Sequence, residues 1–94
     1  MPTLHELMNG IDDELHGALE YADKAVALSV AHPRWSRVYS HMSRQELAHA
    51  HELYKIGADI LDALTWVDPE IYDRWGQYEY RIADREDMIS RMLP

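Results

Sequence analysis

Leu28-Ser29-Val30-Ala31-His32-Pro33-Arg34-Trp35 is the joint on which the fold turns. Pro33 has no amide N–H to donate, and its ring drives His32 out of helical geometry. A helix therefore ends before it, and a second can begin just after it. On both sides the residues that should face a partner recur at alternating steps of three and four. Toward the N-terminus they are Leu28, Ala25, Tyr21, Ala18, Glu14, Ile11, Leu7 and Leu4. Toward the C-terminus they are Trp35, Tyr39, Met42, Glu46, His49, Leu53, Ile56, Ile60 and Ala63. That spacing predicts a heptad seam on each helix. Two helices joined by so few residues must run antiparallel as a hairpin.

Capping chemistry sets the remaining boundaries. Thr3 with Glu6 matches a capping box, so the first helix spans about 3–31. The second spans about 34–66. Asp68-Pro69-Glu70 supplies a cap, a first-turn proline and a first-turn acid, so a third helix spans about 69–92. It offers Ile71, Trp75, Tyr78, Ile82, Ile89 and Met92 to a core, with Arg85 interrupting. Gly10, Gly17 and Gly57 fall inside helical patterns; each costs about 1 kcal/mol against Ala and needs a packing reason. No stretch alternates with period two, and no repeat is visible. The expected fold is all-α: a long hairpin plus a C-terminal helix, one domain over residues 1–94. Two long helices leave a wide apolar face. The third helix could cover part of it, or a second hairpin could complete a four-helix bundle as a homodimer.

Composition narrows the chemistry. The chain has 94 residues and 11.0 kDa, too few for two cores. It has no cysteine, which excludes disulfides, thiolate zinc sites, iron–sulfur clusters and a cysteine nucleophile. Nine Lys and Arg against seventeen Asp and Glu give a net charge of -8. That sign disfavours nucleic acid and anionic membranes and favours cations. No apolar run approaches a membrane span, and Met1–Gly10 has neither the basic region nor the apolar core of a signal peptide. A cytoplasmic protein with neither a nucleic-acid nor a membrane partner is expected.

Glu14, Glu46 and His49 occupy seam positions near the middle of their helices. A lone buried carboxylate costs several kcal/mol unless compensated. Arg or Lys is the usual compensator, yet Lys24, Arg34, Arg37, Arg44 and Lys55 all fall off the seams. His16, His41 and His51 fall off them too. Glu14 lies 19 residues before Pro33, and Glu46 and His49 lie 13 and 16 after it. At ~1.5 Å per residue all three sit within about 5–9 Å along the bundle axis. Glu46-Leu-Ala-His49 places a carboxylate and an imidazole on adjacent turns of one face. Glu-x-x-His with a Glu from a facing helix is half of the di-metal carboxylate site of four-helix bundles. A twofold dimer would supply the other half, and two divalent cations would balance its carboxylates.

Plainer readings stand beside this one. Glu46 and His49 could be a buried polar pair that fixes register. Glu14 could be an edge residue reaching to solvent. Tyr21 and Tyr39 read as core aromatics with bonded hydroxyls. Trp35, Trp66 and Trp75 read as packing anchors near helix ends. His16 and Glu20 read as a solvated pair, His51 and Glu52 as exposed, and Arg81 to Arg91 as a solvated face with internal ion pairs.

Glu14-Leu-His-Gly-Ala-Leu-Glu-Tyr21-Ala22, with Ala25 after it, resembles the first metal helix of ferritin-like proteins of the rubrerythrin type, where a ligand Glu precedes a Tyr by seven residues. Tyr39-Ser-His-Met42-Ser-Arg-Gln-Glu46-Leu-Ala-His49-Ala50 resembles the second. The resemblance covers roughly residues 4–60 and not the third helix. It implies a ferritin-like bundle and a di-iron centre with two ions per dimer, manganese or zinc being alternative metals. Glu14, Glu46 and His49 carry over as ligands, and Tyr21 as a neighbour able to donate a hydrogen bond or an electron. Full-length ferritins and rubrerythrins carry four metal helices in one chain; here there are two. The pattern is therefore more similar to the encapsulated ferritins, whose short hairpins build the site across a dimer, and to short ferritin-like chains of bacteriophage genomes. Without rubredoxin cysteines, complete rubrerythrin electron transfer is excluded. The implied activity is Fe(II) oxidation, as in a ferroxidase, or related oxidoreductase chemistry with dioxygen or peroxide. The implied partners are further copies in a dimer or higher ring, an encapsulating shell, or another protein. The alternative is a non-enzymatic helical assembly protein, of the phage type or otherwise, that uses its polar seam residues for register or a structural metal.

Overall fold

A computed structural model describes residues 2–94; Met1, the first residue of the stretch read for a targeting signal, lies outside them. The described residues hold three helices and no strand: α1 (Leu4–Leu28), α2 (Pro33–Ala63) and α3 (Pro69–Met92). The all-α expectation holds. Thr3 caps α1, its hydroxyl accepting from the Glu6 amide at 3.1 Å. Asp68 caps α3, its carboxylate accepting from the Glu70 amide at 2.9 Å. α1 stops three residues earlier than its pattern suggests, and the Ser29 hydroxyl donates to the Val26 carbonyl at 2.8 Å there. α2 stops three residues early as well. Thr65, Trp66 and Val67 are poor helix formers, and Pro69 disfavours helical geometry at Asp68.

α1 and α2 pack along a line of small side chains. Ala18, Ala22 and Ala25 meet Ser36, Ser40 and Ser43, all buried. The Ser36 hydroxyl donates to the Ala25 carbonyl at 2.6 Å, and that of Ser43 to the Ala18 carbonyl at 2.7 Å. These hydroxyls satisfy themselves on the neighbouring backbone, so their burial carries no orphan penalty. Farther from the turn the buried residues of α2 are Leu47, Ala50, Gly57 and Leu61.

This corrects the seam expected on α2. The buried line runs through Ser36, Ser40, Ser43, Leu47 and Ala50, not Trp35, Tyr39, Met42, Glu46 and His49. Small residues let the axes approach, which displaces the bulkier stripe to the flank. Tyr39, Met42, Glu46, Leu53 and Ile60 are half-buried there, and Trp35, His49 and Ile56 are exposed. On α1 the expected Leu7, Ile11, Ala18 and Ala25 are buried, with Leu4, Glu14, Tyr21 and Leu28 at the rim.

α3 fills the groove on the other side of the hairpin. It starts at the end away from the turn and returns toward it, so that Pro94 lies beside Ser29 and Pro33. Trp75, Tyr78, Ile82 and Ile89 are buried against Met8, Leu15 and Leu47. Ile71 is exposed instead. Trp75 lies so close to Gly57 that a Cβ there would stand 2.0 Å from the indole. The Tyr78 hydroxyl donates to Asp12 at 2.9 Å, Arg81 to the same carboxylate at 3.1 Å, and Arg85 to the Leu15 carbonyl at 3.2 Å. Arg85 thus interrupts the apolar stripe to dock α3 on the α1 backbone. The result is a rod of 55 × 22 × 15 Å with one groove of the hairpin covered and the other open. Among the described residues no helix is long and apolar enough to cross a membrane.

Candidate metal centre

The open groove holds the three ionisable residues singled out above. Glu14 comes from α1, and Glu46 and His49 from consecutive turns of α2. One ligand atom from each lies within 4.8 Å of the others. His49 Nδ1 is 3.5 Å from Glu14 Oε2, too far for a good hydrogen bond and close enough to share an ion. Glu14 and Glu46 are half-buried, whereas the His49 side chain is 58% exposed. The trio therefore meets on the flank of the α1–α2 contact rather than within it.

Two features of this cluster are unsatisfied by protein alone. Glu14 Oε2 is buried without a hydrogen-bond donor. The Glu46 carboxyl is pushed up from 4.5 to about 7, first by a hydrogen bond to Glu14, then by burial and the Glu14 charge, against a smaller opposing pull from His49. Both facts have one cause. Two ionised carboxylates can only accept, so their contact is favourable only when a proton or a cation sits between them. No Arg or Lys pairs with either acid among the described residues. Carboxylate oxygens and an imidazole suit Fe(II), Mn(II) or Zn(II), so the donor set fits a divalent cation.

Gly17 is a part of the site that the pattern did not assign. It faces Glu46, and a Cβ there would lie 3.0 Å from Glu46 Oε2. Its helical penalty is offset by the space it leaves for the carboxylate; a glycine one turn after Glu14 was the available signal. Tyr21 follows Glu14 by seven residues on α1, a rise of about 10 Å along the helix axis. It is half-buried and stacks on Tyr39, with centroids 6.0 Å apart. Lys24 Nζ lies 5.9 and 5.5 Å from the two ring centres.

The surrounding surface follows the plainer readings in part. His16 and Glu20 form an exposed pair at 2.8 Å, and Arg91 pairs with Asp87. His51 is exposed and contacts Glu86 of α3. Of the three tryptophans only Trp75 anchors packing; Trp35, at the start of α2, and Trp66, in the connection between α2 and α3, are 57% and 74% exposed. Compared with family models, curated proteins and solved structures, the chain gives no match.

Proposed function

We propose that two copies of this chain pair through their open grooves into a four-helix bundle and hold two iron ions between them, as a ferritin-like centre for Fe(II) oxidation. The observation that carries this reading is the convergence of Glu14, Glu46 and His49 without a basic partner. One chain supplies three ligands, half of what two ions require, and the groove in which they stand is uncovered. A twofold partner doubles the ligand set and covers the apolar flank in one step.

Each residue has a definable task. Glu14 and Glu46 supply the negative charge that draws a divalent cation into the groove. His49 binds as neutral imidazole, keeping the net charge of the loaded centre near zero. Glu46 gives up its proton on loading, so cation binding releases acid. Gly17 keeps Glu46 free to adjust its carboxylate. Tyr39, Met42 and Ile56 exclude water once a partner lies over them. Two bound Fe(II) ions would each supply one electron to dioxygen or peroxide.

Anaerobic Fe(II) titration tests the proposal. Wild-type protein should bind about one ion per chain and then consume oxygen, and E46A and H49A should lose both properties. A wild type that binds neither iron nor manganese would falsify the metal centre. The remaining reading would then be an assembly protein whose polar trio sets helix register.

A further inference from the structure

Three of the four glycines are explained by what faces them. Leu53 crowds Gly10 at 3.1 Å, Glu46 crowds Gly17, and the Trp75 indole occupies the space over Gly57. Gly76 is different: a Cβ there would meet nothing within 4 Å. A glycine in the middle of α3 costs about 1 kcal/mol against Ala with no internal contact to justify it. The space it leaves is the floor of a groove between α2 and α3, about 410 Å³ in volume. Tyr72 and Tyr80, one turn to either side of Gly76, form its walls, and both are exposed, at 61% and 75%. Tyr54 lies along its α2 side. Asp62, Asp73 and Glu79 line it, and no Lys or Arg does. An aromatic groove with acidic residues and no base is built for a cation carried on a flat or apolar body, above all an arginine.

The opposite end of the molecule carries that chemistry. Residues 24–45 contain Lys24, Arg34, Arg37 and Arg44 and none of the seventeen acids. The turn they flank exposes Val30 at 93%, Trp35 at 57% and Val38 at 57%. Arg34 and Arg37 are exposed, and no acidic side chain among the described residues pairs with either. The rod is 55 Å long, so its turn cannot reach its own groove. Complementary surfaces at opposite ends of one chain are satisfied only between chains.

We infer that the groove floored by Gly76 receives the cationic turn of a second copy. Arg34 and Arg37 enter between Tyr72 and Tyr80, where Asp62, Asp73 and Glu79 take up their charge, and Trp35 covers the rim. The contact is heterologous, because the surface given differs from the surface received. It therefore repeats into a ring or a filament rather than closing as a pair. It uses none of Glu14, Glu46 and His49, and stands whether or not the open groove holds metal.

Sedimentation velocity at low salt (about 20 mM) and high salt (about 500 mM) reads this contact directly, since exposed charge pairs are screened at the higher value. Wild type should form species larger than the dimer at low salt and lose them at high salt. R34E/R37E breaks the turn and leaves the groove; G76L fills the groove and leaves the turn; D62K/D73K reverses its charge. Each variant alone should stay at the smaller size while keeping wild-type helical circular dichroism and iron stoichiometry. Mixing R34E/R37E with G76L should give a new species larger than either variant alone, joined by the intact turn of G76L in the intact groove of R34E/R37E. If all three variants sediment as wild type at low salt, or the mixture shows no new species, the inference is overturned. Vesicles of anionic lipid serve as the control occupant: wild type should remain unbound, and binding lost in R34E/R37E would reassign the cationic turn to a membrane surface.

Discussion

Glu46 holds its proton near neutrality because its nearest polar neighbour is another acid. In the unfolded chain this carboxyl titrates around 4.5, and in the folded chain at about 7. Below pH 4.5 both states carry the proton and folding is indifferent to it. Between 4.5 and 7 only the folded state does, so raising the pH through this window destabilises the metal-free protein. The expected loss is about 1–2 kcal/mol once solvent screening at this part-exposed site is allowed for. Chemical denaturation of metal-free protein at pH 5 and pH 8 measures it, and E46Q should flatten the difference. A cation bound at the proposed centre would reverse the preference. A cation competes with the Glu46 proton, so affinity should rise with pH up to about 7 and level off above it. A metal-free stability that increases over the same interval would mean that the Glu14–Glu46 contact is not formed in solution.

At the scale of the helices, some features could be read from the chain and one could not. Pro33 and Pro69 divide the sequence where the helices divide, and Thr3 and Asp68 cap as their chemistry requires. The convergence of Glu14, Glu46 and His49 was legible too, because axial height follows from counting residues from the turn. The face of α2 that meets α1 was not. Two adjacent stripes compete there, one bulky and one small, and a hydrophobicity pattern favours the bulky one. Ser36, Ser40 and Ser43 look like surface residues until their hydroxyls are seen donating to carbonyls across the helix contact, as those of Ser36 and Ser43 do. Gly57 belongs to the same class, being legible as a cost but not as the seat of Trp75. G57A tests this packing. The added methyl would stand 2.0 Å from an indole held between Tyr54 and Tyr78. Despite the intrinsic gain of Ala in a helix, the variant should lose about 1–3 kcal/mol, read as a lower denaturation midpoint.

For the molecule as a whole, the asymmetry between its two grooves decides which substitutions matter for what. α3 secures the hairpin from one side, and Glu14, Glu46, His49 and the half-buried stripe lie on the other. Ile56 is 43% exposed in the single chain, so I56D should change its unfolding free energy by less than about 1 kcal/mol. The same change buries an acid wherever a second copy covers the open groove. On the proposed pairing, this substitution should dissociate the dimer and reduce iron binding to that of the isolated chain. Analytical ultracentrifugation with metal analysis on the same sample distinguishes these outcomes. Intact dimers in I56D would show that pairing uses another face.

The narrow track of Ala and Ser between α1 and α2 has a consequence for how an ion would enter and leave. Because the axes approach on small side chains, Glu14, Glu46 and His49 lie at the margin of the hairpin, with one candidate ligand atom of each already within 4.8 Å of the others. Loading then demands neither unfolding nor helix separation. Exchange with solvent should be quick for a solitary subunit and become slow only after a neighbour has closed the margin, so that residence time would be governed by subunit encounter.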